Sequence, residues 1–117
     1  MIELTVVDYL EKVLDVPVYL QSPESYPNPT LNPTEYVRVE KVGSSRENYI
    51  FTAKIAIQSY ASTLNKAALL NEKVKEAMQD IIILDEIVSE DLNSDYNFTD
   101  ESKKQPRYQA VFDLVHY

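Results

Sequence analysis

The stretch RYQAVFDLVHY, Arg107 to Tyr117, decides the fold. Read with a period of two, Tyr108, Ala110, Phe112 and Leu114 point one way, and Gln109, Val111, Asp113, Val115 and Tyr117 point the other. Such alternation marks a strand. A strand on a sheet with one packed face has a polar second face. Here the second face keeps Val111, Val115 and Tyr117, so the pattern predicts a sheet with apolar groups on both sides. One side serves a core within the chain. The other, which by parity also holds Ile50 and Ala56, is exposed in a monomer and covered in an oligomer.

Working outward, Asn48 to Tyr60 is the strongest strand, with Tyr49, Phe51, Ala53, Ile55 and Ile57 on one side and Thr52, Lys54 and Gln58 on the other. Glu35 to Val42 alternates with Val37 and Val39 inward. Gly43-Ser44-Ser45 is the expected turn of a hairpin with a polar tip around Ser44 to Glu47. Leu92, Ser94, Tyr96 and Phe98 predict a strand over 88–98, joined to the last strand through the polar turn Thr99 to Pro106. Val16 to Leu20 reads as a short strand, and Pro17 places it at an edge or a strand start.

Two amphipathic helices complete the inventory. Thr5-Val6-Val7-Asp8 has the form of a capping box, followed by Leu10 and Val13/Leu14 at helical spacing. Ser62 or Thr63 caps the second helix, in which Ala67, Leu70, Val74, Ala77/Met78 and Ile81 share a face. It is expected to run to about Ile82, roughly 30 Å at 1.5 Å per residue. Gln21 to Thr34, with Pro23, Pro27, Pro29 and Pro33, is a long loop, and long loops in small domains are commonly functional or mobile. The expected fold is α+β: an antiparallel sheet of four to five strands with two helices packed on one face, in the order α-β-β-β-α-β-β, as a single domain over 1–117.

Composition narrows the function. The chain of 117 residues carries a net charge of −8, no cysteine and a single glycine. The acidic balance argues against general nucleic-acid binding, which needs clustered cations, and against an anionic membrane surface. The absence of cysteine excludes thiol chemistry and thiolate metal sites. One glycine, Gly43, cannot build a phosphate-cradling loop. The start of the chain does not read as a signal peptide, and no apolar run is long enough to span a bilayer. His116, the only histidine, has no partners in sequence for a metal site or triad. The doublets Asp85-Glu86, Glu90-Asp91 and Asp100-Glu101 diverge on any regular element, so they read as solvated acidic surface. No cofactor, no metal and no enzymatic activity are expected.

Taken together, the chain resembles the tail terminator (tail completion, tail-to-head joining) proteins of long-tailed phages, the lambda U-like group. The resemblance rests on the N-terminal helix leading into Val16-Pro17-Val18-Tyr19 and a proline-rich loop, and on Tyr36-Val37-Arg38-Val39-Glu40. It rests equally on Ala56-Ile57-Gln58-Ser59-Tyr60-Ala61 before Ala67 and Ala68, on Ser94-Asp95-Tyr96-Asn97, and on the closing strand. It implies a structural protein of the virion tail, present in the host cytoplasm during assembly, that forms a homo-oligomeric, hexameric ring. The ring sits on the tail-tube protein, ends tube polymerisation and presents a surface to the head connector or head-closure protein. DNA passes through without specific binding. Under that resemblance Val111, Val115 and Tyr117 are the expected subunit contacts, and Ser44, Ser45, Arg46 and Tyr26 the expected contacts to tube or connector. The alternatives are another neck or head-closure ring protein and an acidic DNA mimic, against which the eleven Lys and Arg count.

Overall fold

A computed structural model describes residues 1–20, 35–102 and 105–117. The alternating stretches meet there in one five-stranded sheet of order β1-β2-β3-β5-β4. In chain order the elements are α1 (Ile2–Val13), β1 (Val18–Tyr19), β2 (Tyr36–Glu47), β3 (Ile50–Tyr60), α2 (Leu64–Gln79), a 3₁₀ turn (Ile81–Ile83), β4 (Ile87–Asn97) and β5 (Arg107–His116). The class is α+β. The sheet is mixed, however, where a wholly antiparallel one was expected. β1 lies parallel to β2, with Val18 opposite Val37, and the Val37 N–H donates to the Pro17 carbonyl at 2.9 Å. Parallel neighbours need a crossover of about a dozen residues or more, and the chain between Tyr19 and Tyr36 is long enough to supply one.

The core follows from parity. Val37, Val39, Ala53, Ile55, Ile57, Ala110, Phe112 and Leu114 line one face of the sheet, and Val6 and Leu10 of α1 and Leu70, Val74 and Met78 of α2 pack on them. Each large side chain buried this way contributes about 1.5–3 kcal/mol. The Tyr9 hydroxyl of α1 donates to the Ala77 carbonyl of α2 at 2.6 Å, which joins the two helices.

Helix ends were read unevenly. Thr63 is the N-cap of α2, its hydroxyl accepting from the Lys66 N–H at 3.1 Å, as expected. Thr5 is not the cap of α1. The helix starts at Ile2, with Met1 at the cap position, because this earlier start adds Ile2 to the core. The Thr5 hydroxyl donates back to the Met1 carbonyl instead. Helix α2 stops at Gln79, short of Ile82, and the 3₁₀ turn buries Ile81 while turning Ile82 and Ile83 outward.

The hairpin departs most from expectation. Gly43, Ser44 and Ser45 lie within β2, and the turn is Asn48-Tyr49, between the paired Glu47 and Ile50. Both turn residues have positive φ, 50° and 68°, as a type I′ turn requires. A bulge between Lys41 and Gly43 absorbs the extra residue Val42, and such bulges twist a ladder without ending it.

Candidate functional site

On the sheet face away from the helices, one row of side chains crosses four strands. Arg38, Gln58, Gln109 and Tyr96 stand directly opposite one another from β2 to β4. Arg38 Nη1 donates to Gln58 Oε1 at 2.8 Å, Gln58 Nε2 to Gln109 Oε1 at 2.8 Å, and Gln109 Nε2 to the Tyr96 hydroxyl at 2.6 Å. The neighbouring row stacks Tyr36 on Tyr60 at 4.4 Å. The Arg107 guanidinium donates to the Tyr60 hydroxyl at 3.1 Å and lies 4.6 Å from the Phe98 ring centroid. The Arg38 Nε is buried without a hydrogen-bond partner, but the remaining bonds of such a row fix strand register and stiffen a sheet.

That network explains why this face is less open than its sequence implied. Ala56 and Val111 are buried, Val111 being only 8% exposed. Val115 is half-buried beside Thr52 and Ser89. Of the residues expected to be open here, only Ile50 and Tyr117 are, Tyr117 at 69%. The Tyr117 N–H donates to the Glu86 carbonyl, which ties the end of β5 to the start of β4. Ser44, Ser45 and Arg46 all lie exposed on the outer half of β2. Tyr26 lies outside the described residues.

The outer half of the β2–β3 hairpin, from Lys41 through Thr52, is exposed. At its tip Tyr49 is 88% exposed and sits in the left-handed region, where a bulky residue is unusual and signals a local demand. Parity had put Tyr49 on the same side as Phe51, Ala53, Ile55 and Ile57. The Glu47-Asn48-Tyr49-Ile50 run did hold a clue, since Asn tolerates the first position of such a turn. Between the hairpin and the first turn of α1 lies a groove of about 450 Å³, bordered by Met1, Ile2, Lys41, Arg46, Phe51 and His116. His116 stacks on Phe51 at 5.5 Å, and Arg46 lies over the same ring at 6.0 Å.

The two rims of the sheet are unlike. On the outer edge of β2, among the described residues, β1 covers only Val37 and Arg38 and no other strand pairs there. At the opposite rim β4 pairs, among the described residues, with β5 alone. It carries Glu90, Asp91 and Asp95, and two irregularities, at Ile87/Ser89 and Leu92/Ser94. Charges and bulges are the devices that keep an edge strand from pairing indiscriminately. Burial, and then the neighbouring Asp91, push the Glu90 carboxyl above its ordinary range. Behind β4, Asp95 accepts from Asn71 and Lys75 of α2, both at 3.0 Å. Hydrogen bonds donated to Glu72 and then to Asp95 hold the Lys75 ammonium above its ordinary value. The β4 rim is thereby anchored to the body of the molecule.

Among the described residues no three His, Asp or Glu side chains are placed to share a metal ion, and no helix is long and apolar enough to cross a membrane. No protein-family model matches the chain, and no curated protein matches it.

Proposed function

We propose that this chain is a structural subunit of a phage tail, a terminator that caps the tail tube as a ring, ends its polymerisation and forms the joint to the head connector. The observation that supports this best is the pair of unlike rims that no further strand covers among the described residues. A ring requires a heterologous contact, with two different patches on each subunit. β4 ends one side of the sheet, and on the other side β2 extends past the two-residue β1 and runs opposite to β4, so copies placed side by side bring the β4 rim of one against the uncovered part of β2 in the next. The stiff second face and the anchored β4 suit a load-bearing part. The exposed hairpin tip with Tyr49 suits contact with tube or connector. No enzymatic role enters this reading.

The test is a tube-length assay. Purified protein is mixed with the tail-tube protein of the same genome during polymerisation, and lengths and ends are scored by negative-stain electron microscopy. Capped tubes with sixfold end rings are expected. Tubes of unrestricted length with bare ends would overturn the reading.

A further inference from the structure

Two isoleucines stand out of the surface without cover. Ile82 is 56% exposed and Ile83 78% exposed, on a turn that is firmly held. The Ile83 N–H donates to the Asp80 carbonyl at 3.1 Å, and the Leu84 N–H to the Ile81 carbonyl at 3.0 Å. A rigid, doubly aliphatic knob loses little conformational entropy when it docks. Asp85 and Glu86 follow it, both exposed, and neither is in a salt bridge among the described residues.

The groove beside α1 has the complementary character. Ile2, Phe51 and Ala53 give it apolar walls, and Lys41 and Arg46 stand at its border. Lys41 approaches Glu3 at 3.9 Å, whereas Arg46 has no carboxylate partner among the described residues. Glu3 also lines the groove but faces Lys41, so an apolar anchor followed by carboxylates matches an apolar groove with a guanidinium at its lip that lies on Phe51 and has no carboxylate partner among the described residues. The knob does not fill the groove of its own chain, since both isoleucines are open to solvent. The 3₁₀ turn adjoins β4, while the groove lies by α1, β2, β3 and His116 at the end of β5. His116 pairs with Ile87, so knob and groove are two separate patches at the same end of the sheet.

We infer that copies of this chain join head to tail by seating Ile83, with Ile82 beside it, in the Phe51–Ile2 groove of the next copy, with Asp85 and Glu86 meeting Arg46. The occupant is a second copy because one chain carries both halves of the match, an exposed aliphatic pair followed by carboxylates and an apolar groove bordered by cations. The contact is heterologous, so it propagates until a ring closes. It names the residues of the ring proposed above and rests on that reading.

The chain has no native cysteine, so a Ser44→Cys, Ile83→Cys double variant tests the contact directly. Both positions are exposed, and circular dichroism checks that the variant is folded. The protein is oxidised over a concentration series, alone and in the presence of tail-tube protein, and resolved on denaturing gels. A ladder of cross-linked species ending in a closed ring is expected, with none from either single variant. Cross-linked dimers alone would overturn the head-to-tail contact. Absence of cross-links while wild-type rings cap the tubes would overturn this contact and leave the ring standing. A ladder without capped tubes would support the contact and sink the tail reading. Ile83→Asp is expected to weaken association by about tenfold or more, since an exposed aliphatic anchor is replaced by a charge. Ile83→Val is expected to retain it, and equal weakening by both would count against the knob.

Discussion

Tyr49 holds a backbone conformation that L side chains resist, at a cost of roughly 1–2 kcal/mol for a left-handed residue, and nothing buries its ring in return. Tyr49→Gly makes the turn Asn-Gly, the preferred type I′ pair. The variant is expected to gain about 0.5–1 kcal/mol in urea denaturation, part of the relief being offset by the freedom of glycine in the unfolded chain. Under the proposed function the same variant caps tubes less efficiently, because the tip loses its aromatic contact. Glu90 poses the opposite problem, a charge in a place that disfavours it. Its folded-state carboxyl titrates above the ordinary value of 4.5. The protonated form therefore contributes stability below that value, and the contribution is lost as pH rises through the folded value. Glu90→Gln is expected to be more stable than the parent at pH 7 and equal to it at pH 4, by thermal melts at both. A stabilisation that stays the same at pH 4 would mean that charge is not the cause.

Elements were legible in the sequence where one face had a single purpose. The α2 stripe of Leu70, Val74 and Met78 and the β5 set of Ala110, Phe112 and Leu114 went to the core as their periodicity demanded. The turn of the β2–β3 hairpin was not legible, because Gly43 is the usual breaker and here it only follows a bulge. Nor was the closure of the second face, since alternation tells which way Val111 points and not that Gln58 and Gln109 bond across beside it. Parity thus found the side on which Val111 and Val115 lie, and missed that Val111 is already covered. This separation matters for experiment. Val111→Asp places a carboxylate at a buried position and is expected to cost more than about 3 kcal/mol. Val115→Asp is expected to cost about 1 kcal/mol or less. Loss of rings with Val115→Asp, in a protein whose denaturation midpoint is nearly unchanged, therefore reports on assembly, whereas loss with Val111→Asp reports on folding. Gln109→Leu would strand the buried Gln58 amide and remove the donor to the Tyr96 hydroxyl. A loss of about 1–3 kcal/mol is expected, and an unchanged midpoint would show that the row is ornamental to stability.

At the scale of the whole molecule, ring formation sets two electrostatic effects against each other. Every copy carries a net charge of −8, so bringing copies together is opposed by repulsion that acts over the width of the subunit, whose shorter dimensions are 29 and 24 Å. The proposed contact between Glu86 and Arg46 acts at ion-pair distance. Salt separates the two. The screening length is about 30 Å at 0.01 M and about 10 Å at 0.1 M, so this first rise removes most of the repulsion between copies and leaves a close pair largely intact. Near 1 M it falls to about 3 Å, short enough to weaken the pair as well. Self-association of the wild type, followed by sedimentation velocity over a sodium chloride series, is therefore expected to rise from low salt to about 0.1 M and to fall again toward 1 M as the pair is screened. Arg46→Glu makes each copy two units more negative and places like charges at the contact. It is expected to need more salt and to reach a lower maximum. Exchange of the two charges in one chain, Arg46→Glu with Glu86→Arg, restores both the net charge and the opposition of signs, so it should recover the wild-type curve. Recovery by the exchange would be hard to reconcile with a general effect of net charge, since Glu86→Arg alone lowers the repulsion yet sets Arg against Arg. If Glu86→Arg alone associates better than the exchange variant at every salt concentration, net repulsion governs assembly and the paired contact does not.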